Sequence, residues 1–211
     1  MEKVKTWIVR REDLDRNLAR IAERVADGAI VVYPTDTVYG IGASPARPES
    51  IKTIYRIKRR TLKKPMALLI NDAAKAGDYA VITSEAKRLM ERFWPGPLTI
   101  VFPAKKGAVP AAVNNAGDSI GIRMPSCETS LSLIAACGGV LATTSANTSS
   151  MDDAVTFETA RAYFDGTVEI MIDGGNSPVG IPSTVVSCAD DGVAVIREGF
   201  ISEARIRECC S

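Results

Sequence analysis

Apolar positions along the chain follow two periods. Leu14, Leu18, Ile21 and Val25 recur at three- and four-residue steps, which gathers them on one face of a helix. Gly28 supplies a stop, so a helix is predicted over 12–27, with a strand around 4–9 before it. Ala29-Ile30-Val31-Val32-Tyr33 is a short continuous apolar run and predicts a buried strand over 29–33. A second helical stripe, Ile51, Ile54, Tyr55 and Ile57, predicts a helix from Glu49 to about Arg59, with Pro48 in its first turn. Met66-Ala67-Leu68-Leu69-Ile70 again reads as a buried strand.

Beyond it, a helix over 84–93 is stopped by Trp94-Pro95-Gly96-Pro97. Strands are predicted at 98–102, 120–123, 140–144, 168–172, 183–188 and 193–197, and helices near 128–137, 156–164 and 202–209. Helices alternate with strands in the first half, and strands gather towards the end. That order predicts an α/β domain with a mixed, twisted sheet rather than a purely parallel one. No internal repeat, low-complexity tract or linker interrupts the pattern, so residues 1–211 are expected to form one domain.

Composition narrows the chemistry. The chain is 46% hydrophobic and 24% charged with a net charge of +1, the profile of a globular protein with no global field for nucleic acid. No apolar run approaches the roughly 20 residues of a membrane span. Met1-Glu2-Lys3-Val4-Lys5 lacks a signal-peptide core, so a cytoplasmic location is expected. The five cysteines are scattered, without a C-x-x-C pair, which argues against a disulfide framework or a zinc site. Cys209 and Cys210 are expected to be exposed. There is no histidine, which removes histidine-activated nucleophiles, histidine general bases and histidine metal ligands. An enzyme built from this chain works by positioning, fixed cations and hydroxyls, with magnesium carried in by substrate.

Three segments carry candidate chemistry. Tyr33-Pro34-Thr35-Asp36-Thr37-Val38-Tyr39-Gly40-Ile41-Gly42 follows an apolar run and reads as a turn rich in hydroxyls at the end of a buried strand, with Asp36 isolated in it. By itself it is also an ordinary capped turn. Arg56, Lys58, Arg59, Arg60, Lys63 and Lys64 place six cations within nine residues. Such a run is usually a solvated face, but here it ends a helix and precedes a buried strand, which suits phosphate binding. Ala142-Thr143-Thr144-Ser145-Ala146-Asn147-Thr148-Ser149-Ser150 ends a strand in hydroxyls and one amide; alone it is a polar loop. Neither familiar phosphate-binding glycine loop occurs anywhere in the chain.

Taken in order, the segments form a set: Y-P-T-D-T-x-Y-G-x-G (33–42), K-x-R (58–60), P-G-P-x-T (95–99), I-G-I-R-x-P (120–125), S-x-N (145–147), P-S-T-V-V (182–186) and R-x-G (197–199). In this set the chain resembles the YrdC/YciO family of threonylcarbamoyl-AMP synthases from about residue 10 to residue 205. The resemblance implies an open, twisted α/β sheet with a basic concave face. It implies synthesis of threonylcarbamoyl-adenylate from L-threonine, bicarbonate and ATP with Mg2+, releasing pyrophosphate, and a separate tRNA threonylcarbamoyl transferase as partner. Lys58 and Arg60 are then expected at the ATP phosphates and the substrate carboxylate, and Ser145, Asn147 and Arg197 at the nucleotide. Thr35, Arg123 and Ser183 are expected at the threonine, and no metal is expected in the resting protein.

Some longer members carry a histidine in the strand after K-x-R, where this chain has Met66-Ala67-Leu68-Leu69-Ile70; their additional C-terminal domain has no counterpart among these residues. Two alternatives stand beside the synthase reading: a YciO-like paralogue with weak or different adenylating activity, and an RNA-binding protein using a basic concave face without turnover. Cations concentrated at one place in a nearly neutral chain suit a substrate site better than an extended RNA track.

Overall fold

The computed structural model describes residues 3–61, 64–149, 151–190 and 192–210. Along the chain run β1 (Trp7–Arg10), α1 (Leu14–Ala26), β2 (Val31–Tyr33), β3 (Gly40–Ala43), α2 (Pro48–Ile57), β4 (Ala67–Ile70), α3 (Ala76–Tyr79), α4 (Ser84–Phe93) and β5 (Leu98–Pro103). They are followed by α5 (Ala111–Asn114), β6 (Ser119–Arg123), α6 (Glu128–Ala136), β7 (Val140–Ser145), α7 (Phe157–Phe164), β8 (Ile170–Asp173), β9 (Thr184–Ser187), β10 (Ala194–Arg197) and α8 (Glu203–Cys210). The ten strands make one sheet in the order β1-β8-β2-β3-β7-β4-β6-β5-β9-β10. β1 and β2 each run parallel to β8, β4 to β6, and β5 to β9; the other neighbours are antiparallel. The mixed sheet expected from the order of elements is what forms.

One strand departs from the expectation, and two short helices, α3 and α5, are not among the expected elements. The second half of the 34–42 segment is not a turn: Gly40–Ala43 is a strand, paired with β2 on one side and β7 on the other. Its glycines are there for packing. A Cβ on Gly42 would stand 2.7 Å from Thr143 Oγ1, and one on Gly40 3.0 Å from Thr143 Cγ2. The space they leave holds the Tyr33 hydroxyl, hydrogen-bonded to Thr143 Oγ1 at 2.8 Å. With no alternation of side chains to read, two glycines in four residues hide a strand from periodicity.

The two faces of the sheet are covered unequally. On one, Val32, Ile41, Leu68, Ile70, Ile100, Phe102, Ile120, Ile122 and Met171 share a continuous core with Ile51, Ile54, Leu89, Phe93, Phe157 and Phe164, from α2, α4 and α7, and with Ile206 of α8. On the other, Val31, Tyr33, Leu69, Leu141, Ile170 and Ile172 pack with α1 and α6 through Leu14, Ile21, Val25, Leu133 and Ile134. The second core spans only part of that face. Further along, the positions alternating with core residues include small or hydroxylated ones: Ala67 beside Leu68, Thr99 beside Ile100, Gly121 beside Ile122 and Thr143 beside Ala142, all lining a cavity. The apolar run 66–70 is thus buried on one face and forms cavity floor on the other.

Helix endings place the next groups. α1 ends with Ala29 N–H donating to Arg24 O (2.8 Å) and Gly28 N–H to Val25 O (3.0 Å), with Gly28 at φ +109°. α6 ends in the same way on Gly138 and Gly139. α2 closes with the same double bond, Arg60 N–H to Tyr55 O (2.9 Å) and Arg59 N–H to Arg56 O (3.1 Å), but the left-handed position is held by Arg59 at φ +51°. A non-glycine residue there costs about 1–2 kcal/mol. The turn fixes Lys58 and Arg60 on either side of it. Cys209 and Cys210, expected to be exposed, are instead partly buried against the larger core, where α8 lies on α4.

Candidate active site

The uncovered part of the sheet face floors a cavity of about 490 Å3. Its lining gathers six of the eight residues expected from the sequence: Thr35, Arg60, Arg123, Ser145, Ser183 and Arg197, drawn from segments as much as 162 residues apart. Lys58 and Asn147 stand outside the lining. The order of motifs along the chain gave no hint of that division.

Arg60 leaves the α2 turn with Nε donating to Lys64 O (2.9 Å) and Nη2 to Pro65 O (3.0 Å). These backbone acceptors aim the guanidinium without cancelling its charge. Arg197 enters from the rim at the end of β10, where Nη2 donates to Ser183 O at 2.8 Å. That rim is held by Thr184, whose hydroxyl donates to Ile201 O (2.6 Å) and accepts from the amides of Gly199 and Ile201 (3.0 Å each). Gly199 is obligatory in this arrangement, since a Cβ would lie 2.3 Å from Pro182 O. The P-S-T and R-x-G motifs are one structural unit.

Arg123 is 5% exposed, and each of its three nitrogens makes one hydrogen bond, which leaves two N–H donors. Nη2 pairs with Asp36 Oδ1 at 2.5 Å, Nη1 donates to Thr37 Oγ1 at 2.8 Å, and Nε donates to Gly96 O at 3.1 Å. Asp36, which the sequence presents as isolated, is therefore the counter-ion of a cation 87 residues away. Its Oδ2 is buried with no hydrogen-bond partner. Thr35 Oγ1 donates to Val38 O (2.6 Å) and accepts from Thr37 N–H (3.2 Å). Ser183 Oγ lies 2.9 Å from Thr99 Oγ1; in such a pair one hydroxyl donates and the other keeps its hydrogen for a ligand.

Lys58 is 1% exposed. Its Nζ donates to Ser145 O, to Asn147 O (2.5 Å) and to Asn147 Oδ1 (3.2 Å), while its own carbonyl accepts from Ser149 N–H (2.9 Å). Burial, and then the neighbouring Arg60, push this ammonium down to about 7, with Asp153 acting in the opposite sense. Ser145 Oγ donates to Asn147 Oδ1 at 2.7 Å, and Asn147 Nδ2 to Met151 O at 2.7 Å. In this ligand-free arrangement Lys58 straps the S-x-N loop to the end of α2. Of the remaining cations of that run, Arg56, Arg59 and Lys64 are exposed, and Lys63 lies outside the described residues, as does Ser150 of the hydroxyl run.

Comparison with known proteins gives the family. The sequence profile of the Sua5/YciO/YrdC family, described as "Telomere recombination", matches residues 23–199. The chain belongs to this family. A Bacillus subtilis relative named threonylcarbamoyl-AMP synthase is 36% identical over 97% of the chain, which spans 60% of that relative's length. The crystal structure of Pyrococcus abyssi Sua5 complexed with L-threonine superposes with a TM-score of 0.90 at 31% identity, over 96% of this chain and 59% of Sua5. Escherichia coli YciO gives 0.84 at 26% identity, over 94% of this chain and 97% of YciO. Identity to the synthases exceeds identity to YciO, and the chain spans about three fifths of the two longer relatives.

Sequence reasoning did not find Asp36, Thr37, Thr99 or Thr184 as parts of the site. Each lies inside or beside a quoted motif, but its partner is distant in sequence, and one sequence carries no signal for such pairings.

Proposed function

We propose that this chain makes threonylcarbamoyl-adenylate and pyrophosphate from L-threonine, bicarbonate and ATP. What carries the reading is the convergence of Arg60, Arg123 and Arg197 with the Thr99–Ser183 hydroxyl pair on one cavity, in a chain of the family whose Pyrococcus abyssi member was crystallised with L-threonine. In the proposed sequence, the threonine amine attacks the bicarbonate carbon and a water is lost. A carbamate oxygen then attacks the α-phosphorus, and the bond from that phosphorus to the pyrophosphate breaks. Arg60 and Arg197 stabilise the charge that collects on the departing pyrophosphate, the largest single contribution that fixed donors make in such reactions. Ser145 and Asn147 hold the nucleotide, with Lys58 keeping their loop in place. Thr35, Arg123 and Ser183 frame the amino acid.

Magnesium belongs to the nucleotide in this scheme. Among the described residues no group of three or more carboxylates or thiols is arranged as a metal cage, and Asp153 is the one carboxylate in the cavity lining. That fits an ion that keeps its waters and takes its ligands from phosphate, where it offsets charge on the phosphate oxygens. A tRNA threonylcarbamoyl transferase would take up the product. The experiment is to incubate the protein with ATP, bicarbonate and a mixture of amino acids and identify the product by mass spectrometry. Pyrophosphate release that requires both threonine and bicarbonate supports the proposal. RNA binding with steep salt dependence and no turnover would replace it.

A further inference from the structure

The three arginines of the cavity are not equivalent in charge. Arg123 is closed by Asp36 at 2.5 Å. Among the described residues, Arg60 and Arg197 have no carboxylate within 4.0 Å; their partners are the backbone carbonyls of residues 64, 65 and 183 and, for Arg60, the neutral Tyr55 hydroxyl. Arg197 also repels the other two, so the three share one electrostatic space. The cavity therefore carries two uncompensated cations and one ion pair with no net charge.

Resting on the proposed function, we infer that Asp36 is a positioning and selectivity residue that sets Arg123 apart for the amino acid and leaves Arg60 and Arg197 charged for a polyanion. A neutralised arginine still offers oriented N–H groups to one carboxylate but has little attraction for a triphosphate, because the opposite charge of Asp36 cancels its long-range field. Asp36 thus holds Arg123 in register and keeps phosphate from occupying it. The unpartnered Oδ2 agrees with this role: the buried carboxylate keeps unused acceptor capacity, so its charge is spent on the arginine rather than on a hydrogen-bond network. Replacing the anion without changing its shape frees a third cation and erases the division.

The test is calorimetric binding of L-threonine and, separately, of inorganic tripolyphosphate to the wild-type chain, Asp36→Asn, Asp36→Glu and the charge-neutral double variant Asp36→Asn/Arg123→Met. Asp36→Asn is expected to weaken threonine about tenfold or more and to tighten tripolyphosphate several-fold, with threonine and tripolyphosphate now competing, as unmasking one cation in a shared site requires. Asp36→Glu restores the wild-type order of affinities. The double variant leaves tripolyphosphate within about twofold of wild type and loses threonine, since net charge is conserved while the oriented donors are removed. It also keeps the test valid if Asp36→Asn alone does not fold. Equal weakening of both ligands in Asp36→Asn, the result of a merely structural carboxylate, overturns the inference, as does unchanged binding of both. If wild type binds no threonine but the tripolyphosphate results come out as stated, the charge division holds and the amino-acid reading of the site falls.

Discussion

At the scale of single residues, the clearest division is within the K-x-R turn. Arg60 faces the cavity with its charge uncompensated, Lys58 faces away beneath the S-x-N loop, and Arg59 occupies a left-handed backbone position on the surface. Three substitutions should separate these roles. Arg60→Ala removes a preorganised donor to phosphate and is expected to cost about 2–4 kcal/mol of transition-state stabilisation in kcat/KM, while Lys64→Ala, on an exposed side chain, stays near wild type. Equal losses in the two would show the site to be misplaced. Arg59→Gly relieves the positive-φ strain that α1 and α6 avoid by using Gly28 and Gly138. It should raise stability in urea unfolding by up to about 1 kcal/mol without loss of turnover; destabilisation would mean that the Arg59 side chain makes a contribution larger than its strain.

At the scale of elements, two connections hold the site together. The first is the Lys58 strap between α2 and the loop after β7. Its amine sits at about 7 in the folded chain against an ordinary 10.5, so between those values the unfolded chain binds a proton that the folded one does not, and stability rises with pH. Cys137 and Cys188, pushed up by burial to about 11 from 9, act in the reverse direction above pH 9. The clean window is therefore pH 7 to 9. Wild type should gain up to about 1.4 kcal/mol per pH unit there relative to Lys58→Met. Parallel pH profiles for the two proteins would mean that the three carbonyl acceptors keep the ammonium charged. The second connection is the Thr184 hydroxyl. Thr184→Val leaves two amides, the buried one of Ile201 and the half-buried one of Gly199, and one carbonyl without partners and should cost about 2–4 kcal/mol of stability, with loss of nucleotide affinity through Arg197. A stable variant with intact affinity would show that β9 and β10 hold the rim unaided.

Legibility in the sequence follows the same scale. The helices with a three-to-four-residue stripe, over 14–26, 48–57 and 84–93, and the apolar strands are read correctly because local periodicity reports burial. β3 is not, because its glycines serve Thr143 and Tyr33 across the sheet. The motifs mark the right segments, and six of their residues do meet in one cavity. What they do not give is direction. Nothing in K-x-R tells that one cation turns inward to backbone carbonyls and the other outward to the cavity, and nothing near Asp36 points to Arg123. Those facts are fixed by long-range pairing of β3 with β7 and of β4 with β6, which brings the segments into register.

For the molecule as a whole, the uneven cover of the sheet decides what the cavity can select. Thr99, on β5, and Ser183, just before β9, meet through two strands that lie side by side, and that neighbourhood is the consequence of the strand order rather than of any motif. The Thr35 hydroxyl is already spent on Val38 O and Thr37 N–H, so the Thr99–Ser183 pair, with one O–H unspent, is the expected partner of a substrate hydroxyl. Discrimination should then be asymmetric. Serine lacks only a methyl group, worth about 1–3 kcal/mol in a fitted pocket, whereas valine leaves the paired hydroxyls facing a group that cannot hydrogen-bond, and a site built around a hydroxyl rejects such a ligand more strongly. Product formation measured separately with each amino acid should rank threonine above serine, and serine above valine. Thr99→Val should narrow the gap between threonine and valine while leaving the Km for ATP near its wild-type value. Valine used as readily as threonine by the wild-type chain, or a Thr99→Val variant with unaltered ranking, would place the hydroxyl contact elsewhere in the cavity.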